Sequence, residues 1–381
     1  MWAYYTGRGK FWKRKAGRAP GESPRPRQGV NVRISFVKAR LELRHTFRIA
    51  RSADEYRESV IVRLEDAGVE GFGEAAPSAR YGQSAESAAR ALATLEGAAL
   101  EPAGHLEEAL ARAAERLGAE KAALAAIDIA LHDLLGKRLG APLYSVLGLD
   151  PGKTPVTSYT IGIDSPEIIA EKIREAEQFP VLKIKMGLEN DREIMETVRG
   201  LTDRPVRIDA NEGWTRVEAL EKMRWLEGQN VEFVEQPLPA ADLDGVRWLA
   251  GRTSLPMFAD ESVHAAVDIP KLAGAFHGIN IKLMKCGGVR EALRMIHTAR
   301  ACGMKIMIGC MIESSIGITA AAQLAPLVDC ADLDGNILIR NDPAAGVTVQ
   351  RGKLVLPTGP GLGVTIGDGE ILDALRRPSG R

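Results

Sequence analysis

The sequence predicts an α/β protein built as a (β/α)8-type barrel, in its (β/α)7β form, with an α+β N-terminal capping domain. Three observations predict it. Eight short apolar runs recur between Ser158 and Asp334 at spacings of about 20–27 residues, the arithmetic of a strand–helix barrel. Each run but the last is followed by a helical segment. Ahead of them, strands come first and helices afterwards, which describes a separate α+β unit. A doubly wound sheet competes, but no Gly-x-Gly-x-x-Gly turn opens the alternating region.

Residues 1–29 carry eight Lys/Arg against one acid, Glu22, and end Pro/Gly-rich. Without an apolar segment they read as a basic disordered extension, not a secretory signal. The capping domain is expected over 30–150. Val32, Ile34 and Phe36 alternate, the run 60–64 follows, Asp66-Ala67-Gly68 makes a turn, and 71–75 closes the sheet. Residues 84–140 are Ala-rich and helical, with Leu124, Ile127, Leu131 and Leu134 on one face and Gly136 and Gly140 as stops.

The barrel is expected over 151–345, its strands at 158–162, 181–186, 206–210, 231–235, 257–260, 279–284, 306–310 and 330–334. Ser165-Pro166 offers a helix start, and Thr215 with Glu218 a capping box, after which Val217, Leu220, Met223 and Leu226 are expected to pack inward. Residues 346–381 do not continue the alternation and are expected to pack back on the capping domain.

Composition narrows the function classes. The 381 residues hold 50 Lys+Arg and 50 Asp+Glu, so zero net charge argues against a nucleic-acid or membrane-surface partner. No apolar stretch reaches the length of about 18 residues that a spanning helix needs. Cys286, Cys302, Cys310 and Cys330 form no CxxC pair, and read as reduced thiols of a cytoplasmic protein.

In barrels of this kind the informative charges lie at the C-terminal ends of the strands. Residues two apart on a strand share a face. Lys183 and Lys185 therefore point together on the second strand, Asp209 and Asn211 on the third, Asp332 and Asp334 on the eighth. Asp209, Glu235 and Asp260 stand 26 and 25 residues apart, one from each of three consecutive strands. Singly, each reads as readily as a helix cap or surface charge. Together they would repel unless they share a cation, and an all-oxygen set favours Mg²⁺, with Mn²⁺ as the alternative. Lys185 and Lys282, on the second and sixth strands, lie across the barrel from one another. Two such bases around a metal-held carboxylate would take a proton from one face of an α-carbon and return it on the other through an enediolate. Lys285 has the opposite parity to Lys282 and is expected to face away.

These residues resemble the enolase superfamily, and within it the muconate-lactonizing subgroup, over about 31–370. The motifs are Gly140–Gly148, Asp209–Trp214 (DANEGW), Glu235-Gln236-Pro237, Asp260-Glu261-Ser262 and Lys282–Gly288 (KLMKCGG). Asp332-Leu333-Asp334 resembles the dipeptide epimerase pattern, in which two acids hold the α-ammonium of an L-Xaa-Xaa dipeptide such as Ala-Glu of peptidoglycan peptides. The resemblance implies substrate contacts from Thr160, Lys183 and Cys310, and a mobile cap loop over the site at 45–57. In Ala-Glu-specific members that loop presents a basic side chain; Arg48 and Arg51 lie in it, with Ser52 at the counted position. It further implies a small dipeptide as substrate and a homo-oligomer.

The runner-up is o-succinylbenzoate synthase/N-acylamino acid racemase or muconate cycloisomerase, which share the lysine apparatus but have no need of Asp332 and Asp334. The mandelate racemase branch needs a histidine on the seventh strand, and none of the six histidines falls there. A ligand-binding barrel without catalysis would leave both lysines and all three acids as bystanders.

Overall fold

A computed structural model describes residues 32–95 and 105–377; the basic extension 1–29 lies outside them. The described residues open with a three-stranded antiparallel sheet, β1 (Arg33–Ile49), β2 (Ser52–Asp66) and β3 (Val69–Ala75). Ala67 and Gly68 both take positive φ, 53° and 81°, which is the twist a two-residue hairpin turn demands. The segment 45–57, expected as a loop, is the tip of the long β1–β2 hairpin, beyond a register shift between Glu42 and Phe47. Among the described residues four α-helices follow: α1 (Ala85–Ala93), α2 (Leu106–Leu117), α3 (Lys121–Leu139) and α4 (Leu143–Val146).

Helix α3 is buried on nearly every side, which its Ala-rich composition permits. It lies so close to β3 that a Cβ on Gly73 would stand 1.9 Å from the Ala126 carbonyl oxygen. The glycines of the Gly71–Ala75 run are thus there for the approach of the helix. On its other side Asp128 Oδ1 accepts from the Val289 amide at 2.6 Å, fastening α3 to the barrel.

The barrel alternates β4 (Tyr159–Ile161), α5 (Pro166–Glu175), β5 (Leu182–Lys185), α6 (Asp191–Leu201), β6 (Val206–Asp209), α7 (Arg216–Leu226) and β7 (Val231–Glu235). It continues with α8 (Leu243–Ala250), β8 (Met257–Ala259), α9 (Ile269–Leu272), β9 (Gly278–Lys282), α10 (Leu283–Cys286), α11 (Val289–Ala301), β10 (Lys305–Gly309), α12 (Ser315–Ala322) and β11 (Cys330–Asp332). The eight strands β4 to β11 pair in sequence order, all parallel. A single bridge, Thr157 to Ala331, joins the first strand's lead-in to the last. Apolar side chains on both faces bury the strands, as a helix-wrapped parallel sheet requires.

Two local expectations are corrected. Val217 is 74% exposed, and the buried stripe of α7 is Ala219, Met223 and Leu226. Residues two apart on a helix point roughly 200° from each other, so a stripe through 219 turns 217 to solvent. Ser165 makes no side-chain cap bond, leaving Pro166 alone to start α5, whereas the Thr215–Glu218 capping box forms. After the barrel, Leu362 donates its amide to Asp133 of α3 at 2.8 Å, and Leu375 accepts from Ser35 of β1 at 2.7 Å. No described helix is long and apolar enough to cross a membrane.

Candidate active site

Three short strands set the acids at one level. Lys185, Asp209 and Glu235 are successive partners across the β5–β6–β7 ladders. Asp260 lies two residues beyond Phe258, the partner of Glu235 in β8, and so turns to the same face. The three carboxylates are buried, and one oxygen of each lies within 4.8 Å of the others. A loop clamp fixes the third: Gln236 Oε1 accepts from the amides of Asp260 (3.0 Å) and Ser262 (3.1 Å).

The lysines frame this triad. Lys185 Nζ donates to Asp209 Oδ2 at 2.6 Å, and Lys282 Nζ to Asp260 Oδ2 at 2.7 Å. Their strands, β5 and β9, flank the three acid-bearing strands in the sheet order. Lys183 sits deeper, its Nζ 3.1 Å from Asp209, 2.7 Å from Glu235 and 2.7 Å from Asp332. Lys285, expected to face away, instead reaches the triad and donates to the Asp260 carbonyl at 2.6 Å. Strand parity does not apply to it, because the chain turns into α10 at Leu283.

The electrostatics follow from burial and these pairs. Burial pushes the Glu235 carboxyl up to about 7, with Asp209 adding to it. At Asp209 burial works in the same direction, but Lys185 and Lys183 outweigh it and hold the group low. Burial opposes the Lys282 ammonium, yet Asp260 overrides it and holds the group above its ordinary range. Three oxygen ligands, buried and mutually close, fit a hard dication such as Mg²⁺.

At the barrel seam, Asp332 Oδ1 accepts from Ser158 Oγ at 2.8 Å, and Asp334 Oδ2 from the Thr160 amide at 2.6 Å. Burial and the neighbouring Asp332 charge push Asp334 up to about 7. Cys310 Sγ lies 3.3 Å from the Asp332 carbonyl oxygen. Thr160, Lys183, Lys185, Lys282, Cys310, Asp332 and Asp334 all line one cavity of about 400 Å³, roofed by Phe47, Ile49 and Arg57 of the cap hairpin. Arg51 also lines it, but its guanidinium is engaged by the barrel, donating to Glu261 Oε1 at 2.8 Å and the Asn211 carbonyl at 3.0 Å.

Sequence reasoning overlooked two buried participants. Asn280 Nδ2 donates to Glu235 Oε1 at 2.8 Å; it shares a strand face with Lys282, which was the available signal. Glu261, 2% exposed, receives Arg51 next to the triad; its place in the Asp260-Glu261-Ser262 motif was the available signal.

The comparisons agree with this geometry. The model for the mandelate racemase / muconate lactonizing enzyme N-terminal domain matches residues 31–148, and that for the enolase C-terminal domain-like family matches 168–370. An L-Ala-D/L-Glu epimerase of Bacteroides thetaiotaomicron is 45% identical over 338 residues, 88% of each chain. The dipeptide epimerase of Cytophaga hutchinsonii, solved with Mg and D-Ala-L-Val, superposes with a TM-score of 0.86 at 28% identity, covering 90% of this chain and 98% of that one. The Enterococcus faecalis enzyme, solved with Mg and L-Leu-L-Tyr, gives 0.83 at 34% identity, covering 88% and 99%. With its capping sheet, its barrel and its lysine-framed acid triad, the chain belongs to the enolase superfamily, in the mandelate racemase / muconate lactonizing enzyme family whose dipeptide epimerases are its relatives.

Proposed function

We propose that this chain is a Mg²⁺-dependent dipeptide epimerase, inverting the α-carbon of the C-terminal residue by two-base 1,1-proton transfer. The observation that carries the reading is the pair Lys185 and Lys282. They flank the acid triad and open into the same cavity as Asp332 and Asp334.

The seam carboxylates Asp332 and Asp334 bind the dipeptide ammonium, with Thr160, Lys183 and Cys310 around them, and exclude N-acylated analogues that lack this charge. That anchor directs the C-terminal carboxylate toward the triad and sets its α-carbon between the two lysine amines. One amine removes the α-proton while the other, as ammonium, returns one on the opposite face; the roles exchange for the other stereoisomer. Asp209, Glu235 and Asp260 would hold the ion, with Asn280 and Gln236 keeping two of them in place. When bound, Mg²⁺ supplies positive charge that stabilises the negative charge developing on the substrate carboxylate and loosens the acids' hold on the lysine protons.

The Bacteroides relative supports Ala-Glu as the first dipeptide to try. Four unpaired cysteines support a cytoplasmic setting, and the family resemblance supports a homo-oligomer. The test is α-proton exchange in D₂O with added Mg²⁺, followed by proton NMR. The expected result is loss of the C-terminal α-proton signal of Ala-Glu and growth of its diastereomer. Exchange confined to N-acyl amino acids, or no exchange with either class, overturns the reading.

A further inference from the structure

The cap contributes one buried carboxylate to the barrel that the chemistry above does not use. Glu74, in β3, accepts four bonds from the start of α12: the Ser314 amide at 3.0 and 3.1 Å to its two oxygens, Ser314 Oγ at 2.6 Å, and the Gly317 amide at 3.0 Å. It thus caps a barrel helix from another part of the chain. Burial pushes the Glu74 carboxyl above its ordinary value, while the donors it receives at this helix N-terminus work the other way and favour its ionised form.

A second acid lies against it. Glu313, 1% exposed, accepts only the Met311 amide at 2.7 Å on Oε1, and its Oε2 has no hydrogen-bond partner. Gly317 keeps open the space the two share: a Cβ there would stand 2.3 Å from Glu313 Oε2 and 3.1 Å from Glu74 Oε2. The groups facing the pair are neutral, namely the Ser59 hydroxyl from β2 and the Ser314 hydroxyl and Gly317 amide from α12. On the cavity side Lys282, ion-paired to Asp260, also acts on Glu313, and Glu313 in turn acts on the Cys310 thiol. Two ionised carboxyls at such a place would repel with no counter-ion between them, so one proton stays, and it stays on the acid with fewer donors.

The position of the pair gives it a use. Residues 76–80, which follow Glu74 after Ala75, form one wall of the substrate cavity, and residues 310–312, directly before Glu313, form another. We propose that Glu74 is a positioning residue for this enzyme, and that Glu313 is its protonated partner, the two together holding the cap wall and the barrel wall of the cavity in register. Burial, with Glu74 beside it, pushes Glu313 up to about 8 from an ordinary 4.5. The folded protein therefore keeps a proton that the unfolded chain gives up above 4.5, and the stability contributed by this group declines as the pH rises from there toward 8. Above that range both acids are charged and the walls separate.

The test has two arms on the full-length, Mg²⁺-loaded protein. Infrared difference spectra need no substrate: near neutral pH, wild type minus Glu313→Gln shows the carbonyl stretch of one protonated carboxylic acid, the contribution of Asp334 being common to both proteins, and this difference band is lost at high pH. The kinetic arm rests on the epimerase reading. Between about pH 7 and pH 9.5 the ratio of wild-type to Glu313→Gln KM rises about tenfold with kcat following much less, because the amide cannot ionise. Glu74→Gln, which keeps the shape and one acceptor, raises KM more than it lowers kcat at pH 7. Absence of that difference band, or a KM ratio flat with pH, overturns the proposal. Absence of epimerisation in wild type, with the band behaving as described, counts against the function alone.

Discussion

Lys183 Nζ donates to Asp332 Oδ2 at 2.7 Å across the seam of the barrel. The same ammonium lies 2.7 Å from Glu235, so it stands between the two acidic centres of the site: the triad on one side and the seam pair on the other. Burial works against this ammonium, but Asp332, Glu235 and Asp209 outweigh it and hold it well above its ordinary range. It is a fixed positive spacer that lets five carboxylates share one small volume.

That spacing makes the seam separable from the metal. Asp332→Asn keeps the bond to Ser158 but removes the charge proposed to meet the dipeptide ammonium, at a cost of about 1.5–3 kcal/mol. KM for dipeptides is expected to rise by roughly ten- to hundredfold, with the Mg²⁺ dissociation constant changed by less than about threefold. Steady-state kinetics and a Mg²⁺ titration check the two values. A collapse of metal affinity in this variant would move Asp332 into the metal shell.

The two lysines give a sharper pattern. Lys185→Ala and Lys282→Ala are each expected to lose epimerisation by at least about a thousandfold, since inversion needs both faces. Each retains solvent exchange of the α-proton for the one stereoisomer whose proton faces the remaining amine. Incubating each diastereomer separately in D₂O reads the pattern. A single-lysine variant that inverts at near wild-type rate excludes the two-base scheme.

Much of this arrangement can be read from the chain, because short barrel strands obey a two-residue parity and end where the polar residues begin. Lys183, Lys185, Asp209 and Glu235 sit within regular strand and share the face that parity assigns. Parity gives no guidance for Lys285, because α10 starts at Leu283 and rotates the side chain back to Asp260. The segment 45–57 is expected as a loop from the family resemblance alone; its strand character comes from pairing with the other half of the hairpin. Glu74 and Ser314 are 240 residues apart, and their bond is a product of packing that no local pattern announces.

Arg51 is the residue for which sequence and structure suggest different work. The family resemblance offers it as a substrate contact from the cap loop, with Ser52 at the counted position, while its observed bonds to Glu261 and Asn211 tie the hairpin tip to the ends of β6 and β8. If it is a latch, Arg51→Met raises KM for acidic and apolar dipeptides by a similar factor and speeds proteolysis within 45–57. If it is a reader, the loss is confined to Ala-Glu. Kinetics on Ala-Glu and on an apolar dipeptide, with limited proteolysis alongside, separate the two; the latch is the expected outcome.

Asp334 adds a proton to the binding equilibrium. Burial and Asp332 push its carboxyl up to about 7 in the substrate-free protein, so below that pH it is largely protonated. An incoming ammonium favours the carboxylate, and binding therefore expels a proton there. Above about 8 the dipeptide's own amine, with an ordinary value of about 7.7–8, is largely neutral and must gain a proton to bind. Net proton exchange is thus expected to change sign, from release at about pH 6 to uptake at about pH 9, with tightest binding between. Calorimetry in two buffers of different ionisation enthalpy measures it at each pH. In Asp334→Asn the release at low pH disappears while the uptake at high pH remains, since the latter belongs to the substrate. No release at pH 6 in the wild type, with uptake only at high pH, would show that Asp334 is already ionised and that the ammonium is met by a carboxylate pair carrying full charge.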